Sequence, residues 1–136
     1  MLTRALNSSG GGSLTETILW TNGSPSSDFT AGTFSLDTGK KFSDYDYIKF
    51  IWYNSKSDRS VENETIIPFS AFQRMDNGTT IVPFIALGYR ASSTSRMVRM
   101  VMYESDTSIY FSATSYWNST GSSNGNVIPY KIIGLK

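Results

Sequence analysis

The chain has 136 residues, enough for one domain with a genuine core, and a formal net charge of +1 from 12 basic and 11 acidic residues. Charged residues make up 17% against 39% hydrophobic, which excludes a disordered polyelectrolyte, and the scattered Lys and Arg form no basic stripe for nucleic acid. With no Cys and no His, disulfides and thiolate chemistry are excluded, and the commonest general base and metal ligand are missing.

Read from the N-terminus, a short apolar piece, Met1 to Leu6, precedes the hinge Asn7-Ser8-Ser9-Gly10-Gly11-Gly12-Ser13. Glycine costs backbone entropy and serine adds nothing to a core, so this hinge is not built to pack. Residues 1–13 therefore read as an extended docking arm, with Leu2, Arg4 and Leu6 as the side chains expected to meet a partner. The arm has one Arg but no apolar run of secretory length, so no signal peptide is expected. The longest apolar run, Ile81 to Leu87, falls far short of the ~20 residues a membrane span needs, and no membrane insertion is expected.

Residues 14–136 form the body, and period-two alternation dominates it. Strands are expected at Thr15 to Thr21, Thr33 to Asp37 and Asp46 to Asn54. In the third, Ile48, Phe50 and Trp52 face one way, and Tyr47, Lys49, Ile51 and Tyr53 the other. Glu64 to Phe72 and Thr79 to Leu87 flank Asp76-Asn77-Gly78, which reads as a hairpin turn because Asn and Gly tolerate positive φ. Pro68, Pro83 and Pro129 each interrupt a strand-like run, marking an edge, a bulge or a strand start. Arg96 to Tyr103 and Ile109 to Thr114 form a second hairpin around Glu104 to Thr107. A polar loop, Asn118 to Asn126, leads to a closing strand from Val127 to about Leu135. About eight strands and no helical stretch predict an all-β fold, a single antiparallel jelly-roll-like sandwich behind the arm.

Candidate chemistry is sparse. Gly121-Ser122-Ser123-Asn124-Gly125 matches the nucleophile-elbow spacing, but no helix is expected after it and no histidine exists to serve as base. Asp44/Asp46, Glu62/Glu64 and Glu104/Asp106 would place carboxylates ~7 Å apart on one strand face, a spacing hydrolysis of a sugar could use. All three pairs lie at strand ends or turns, where acids are ordinary solvated punctuation. No calcium loop or phosphate loop is complete, so no catalytic residue, metal or cofactor is expected. Sequons at Asn7, Asn22, Asn63, Asn77 and Asn118 read as chance in a chain this rich in Asn, Ser and Thr.

The aromatics carry more information. Tyr45, Tyr47 and Tyr53 line one face of the third strand, where they could stack a sugar or pack against the second sheet or a neighbouring subunit; packing is the preferred reading. Tyr116 and Trp117 stand with Asn118 at the base of the polar loop, where ligand recognition and packing both remain open.

The Gly-Ser-hinged arm, the opening strand Thr15 to Asn22, the run Asp46 to Tyr53 and the end Asn124 to Lys136 together resemble small β-sandwich structural proteins of tailed bacteriophages. That resemblance implies a virion location and an adhesive role, as in tail-fibre tips, receptor-binding heads or head fibres. The expected function is thus a non-enzymatic virion structural protein, anchored by residues 1–13 and tail-associated for host attachment. Its expected partners are other virion proteins, further copies of itself (a trimer would fit) and a host-surface glycan or protein. Capsid decoration or a head fibre is the alternative within the virion, and a carbohydrate-binding module the alternative outside it.

Overall fold

The computed structural model describes residues 14–75, 84–92, 95–117 and 121–136. Nine strands occur among them: β1 (Glu16–Thr21), β2 (Gly32–Ser35), β3 (Tyr47–Ser55), β4 (Asn63–Pro68), β5 (Ile85–Arg90), β6 (Arg96–Ser105), β7 (Ser108–Trp117), β8 (Ser122–Ser123) and β9 (Asn126–Leu135). They form two antiparallel sheets, one ordered β1-β9-β3-β4 and one ordered β2-β7-β6-β5, with β8 also on β7. The expected all-β sandwich is therefore the architecture. Early and late strands interleave, with β1 beside β9 and β2 beside β7, so much of the ladder is long-range.

Alternation fixes which side chains enter the core. On β3, Ile48, Phe50 and Trp52 enter the main core between the sheets, while Ile51 joins a smaller outer cluster with Ile133 and Leu135. Two aromatic groups fill the main core. Trp20, Phe29, Phe34 and Phe111 sit at mutual centroid distances of 4.7 to 6.0 Å, and Phe42, Phe50, Phe72 and Tyr103 form the other group. Edge-on ring contacts of this kind add about 0.5–1.5 kcal/mol each beyond simple burial.

The structure departs from the expected elements in three places. The strand expected over Glu64 to Phe72 stops at Pro68, and Phe69–Phe72 forms a short helical turn, α1. Proline has no N–H to continue the ladder, and the turn swings Phe72 fully into the core beside Phe42 and Phe50. The expected hairpin about residues 76–78 does not pair its flanks: β4 pairs with β3, whereas β5 pairs with β6 in the other sheet. Residues 76–83 themselves lie outside the described residues. The loop expected over 118–126 contains β8, and the closing strand begins at Asn126.

Pro129 sits inside β9, an interior strand. It is accommodated by a bulge, because Ile51 pairs with Lys131 but Trp52 pairs with Pro129, leaving Tyr130 as the extra residue. The side-chain amide of Asn22 donates to the Pro129 carbonyl oxygen at 2.9 Å and ties the bulge to the end of β1.

Candidate functional site

The β5–β6 hairpin carries an open cleft of about 340 Å³ on the outer side of its sheet, lined by Ala86, Gly88, Tyr89, Arg90, Arg96 and Val98. Register explains the grouping. Arg90 is paired with Arg96, and Gly88 with Val98, so these four project from one patch of sheet. Gly88 keeps the floor low: a β-carbon there would run into the Met97 carbonyl oxygen and Val98, so β6 itself demands glycine.

The turn that joins the strands is held by its own hydrogen bonds. Ala91 N–H donates to the Ser95 carbonyl oxygen at 3.0 Å, and Ser95 N–H donates to Ser92 Oγ at 3.0 Å. Arg96 Nη1 donates weakly to the carbonyl oxygens of Ser92 and Ser95, at 3.4 and 3.3 Å. Neither Arg90 nor Arg96 has a carboxylate partner among the described residues, whose ion pairs are Lys49 with Glu16 and Glu64, and Lys56 with Asp28. Two like charges directly opposite on one sheet face repel, so this end of the sheet is electropositive.

Behind the cleft lies a polar knot. Tyr89 borders the cleft but packs inward against the main core, and its hydroxyl accepts a hydrogen bond from Asn126 Nδ2 at 2.9 Å. Asn126 is held in turn by Ser123 Oγ, which donates to its Oδ1 at 2.8 Å, and by Thr114 Oγ1, which donates to its carbonyl oxygen at 2.6 Å. At the centre is Arg99, fully buried on the inner face of β6. Its guanidinium donates to the carbonyl oxygens of Val127 (2.7 Å), Ser112 (2.6 Å) and Asn126 (3.1 Å), and lies 5.1 Å over the Phe29 ring. Burial pushes its pKa down to about 10, which leaves it charged at neutral pH. Backbone dipoles and a ring face, rather than a carboxylate, compensate that charge.

No family model, curated protein or solved structure matches this chain.

The residues picked out from sequence fall in different places. Tyr45 precedes β3, and its ring lies over Gly134 against the main core. Tyr47 is half-buried beside the outer cluster, and Tyr53 is buried with its ring 5.0 Å from that of Tyr130. Burial, reinforced by Glu62 and Tyr130, raises the Tyr53 pKa above its ordinary 10.0. The three tyrosines thus do not share one displayed face. Tyr116 is half-buried against the main core with its ring next to Gly121, and Trp117 ends β7 opposite Arg96. Asn118, and Leu2, Arg4 and Leu6 of the arm, lie outside the described residues.

One member of each of two carboxylate pairs has a structural contact. Asp106 accepts from Ser43 N–H (2.8 Å) and Ser43 Oγ (2.6 Å), which fastens the 3₁₀ turn Phe42–Asp44, and Glu64 faces Lys49. Ser123, the serine at the nucleophile position of that spacing, lies in β8 paired with Thr114, and its Oγ donates to Asn126 Oδ1 at 2.8 Å. Sequence reasoning passed over Arg90, Arg96 and Arg99. A signal for the first two existed in the arginines that bracket the turn 91–95; for Arg99 it was its parity with Met97 and Val101.

Proposed function

We propose that this chain is a non-catalytic structural protein of a tailed-phage virion, held on the particle through residues 1–13, with its sandwich serving as a tail-associated host-attachment module. The observation that carries attachment is the outward-facing cleft with Arg90 and Arg96 opposed across β5 and β6. A recess on a hydrogen-bonded sheet binds with little ordering cost, which suits a module that must capture a host surface. The engagement of Asp106 and Glu64 in clips supports a binding role over hydrolysis.

A second reading, a capsid decoration or head-fibre subunit, draws support from the outer face of the four-stranded sheet. Ile18 is 45% exposed, and it extends a row whose next residue, Ile133, belongs to the outer apolar cluster, where the wet face of an antiparallel sheet is usually polar. We assign that row to contact between copies of the chain, which either virion location would use.

The test is competition. Purified full-length chain, added in excess to host cells, should slow adsorption of intact phage. Unchanged adsorption with the host surface saturated by the protein would reject the attachment role.

A further inference from the structure

The geometry points to the Arg90–Arg96 cleft as a subsite for an oxyanion-bearing sugar unit of an acidic host-surface glycan. This assignment rests on the attachment reading and adds the ligand chemistry to it. Three observations carry it.

The first is charge. Arg90 and Arg96 occupy directly opposed positions on one sheet face, where like charges cost stability, and no described carboxylate offsets them. An oxyanion held between them converts that repulsion into two charge-assisted contacts. Guanidinium suits the task because its planar fork matches a carboxylate or a phosphate.

The second is shape. At about 340 Å³ the cleft is at the small end of ligand sites, which run from about 300 to 1,000 Å³, so it takes one sugar-sized unit rather than a wide polymer surface. Ala86 and Val98, on the same face as the two arginines, supply a small apolar floor for the C–H face of a pyranose ring. A neutral sugar would leave both guanidinium groups without counter-charge. A duplex would present phosphates in a row, yet Lys and Arg form no stripe beyond this pair.

The third is rigidity. Tyr89 is pinned by Asn126, and Asn126 by Ser123, Thr114 and the buried Arg99. Gly88 is fixed by the close approach of β6. The strand that carries Arg90 is therefore anchored from its core side before the ligand arrives, which lowers the cost of binding.

Carboxylate and phosphate share this chemistry, and a direct titration separates them. Full-length protein would be titrated with oligogalacturonate, polyglycerol phosphate, neutral dextran and a short DNA duplex at about 50 mM and about 300 mM salt. One of the two acidic polymers should bind at least ~10-fold more tightly than dextran, and should weaken severalfold at the higher salt. Arg90→Gln with Arg96→Gln should remove that preference, while Lys56→Gln, which breaks an exposed ion pair outside the cleft lining, should leave it intact. Preference for oligogalacturonate assigns a carboxylate, and preference for polyglycerol phosphate assigns a phosphate. The subsite is overturned if neither exceeds dextran, if the double variant binds like wild type, or if the DNA duplex binds as tightly as either. Phage that carry the double variant, retain the protein on the tail and still adsorb normally would sink the subsite alone and leave the attachment reading standing.

Discussion

Arg99 Nε donates to the carbonyl oxygen of Val127 at 2.7 Å, and Val127 is the one non-glycine residue with a positive φ (48°) among the described residues. A β-branched residue in that conformation is strained by about 1–3 kcal/mol. The strain persists because the buried guanidinium captures Asn126 and Val127 together and pins the start of β9 against β6 and β7. A charge from one sheet thus fixes a backbone kink in the other, and the kink positions Asn126 to bond the Tyr89 hydroxyl on the core side of β5.

Arg99→Met should therefore destabilise the fold by about 3–5 kcal/mol, because the buried carbonyl oxygens of Val127 and Ser112 lose the guanidinium donor and that of Asn126 is left with Thr114. Arg99→Lys keeps the charge but not the fork, and should still cost about 2 kcal/mol. Urea midpoints report both values; a loss below about 1 kcal/mol for Arg99→Met would show that the clip contributes little.

At Val127 the usual order of glycine and alanine should fail. Glycine in a strand normally costs about 0.5–1 kcal/mol more than alanine. Here both variants lose the buried valine methyls, but only glycine relieves the positive φ. Val127→Gly should be as stable as Val127→Ala or better by up to about 1 kcal/mol, read from thermal or urea unfolding of the pair.

Gly134 and Tyr45 make a second coupled pair. A β-carbon at Gly134 would strike the Tyr45 ring near its base, where the side chain cannot swing aside. Gly134→Ala should cost about 2 kcal/mol or more, and prior removal of the ring by Tyr45→Ala should make it milder by about 1–2 kcal/mol. Additive losses in that cycle would mean the ring has somewhere else to go.

The pH dependence follows from two groups and one absence. With no His, no side chain of ordinary pKa titrates between pH ~6 and ~8, so stability should be flat there. Tyr53 has a folded pKa above its ordinary 10.0, so its contribution is complete below that value and is lost as pH rises through the folded one. Arg99 works in the opposite sense: above about 10, where the folded guanidinium has lost its proton and the unfolded one keeps it, stability from this group rises with pH. Tyr53→Phe should therefore shift stability by a constant up to pH ~9, then gain on wild type above pH ~10; a gap that stays constant across the range would exclude the tyrosine effect.

The strands were legible because alternation survives in a half-buried sheet, and β3 could be assigned face by face. Sheet membership was less so. The runs either side of residues 76–78 look alike in sequence, and only tertiary pairing sends β4 to β3 and β5 to β6. Pro68 signalled an edge but not the helical turn behind it, which core demand for Phe72 produces. Tyr45, Tyr47 and Tyr53 share parity but not surroundings: Tyr45 lies before the strand, and the Tyr130 bulge shifts the register before Tyr53. The cleft was hidden for a different reason. Its arginines are ordinary by type, and only the register that opposes them gives them meaning.

The most direct measurement is location. Gold-labelled antibody against the sandwich, applied to intact particles and imaged by electron microscopy, should decorate the tail. Label on the capsid, or on no part of the particle, would contradict a tail-associated attachment protein.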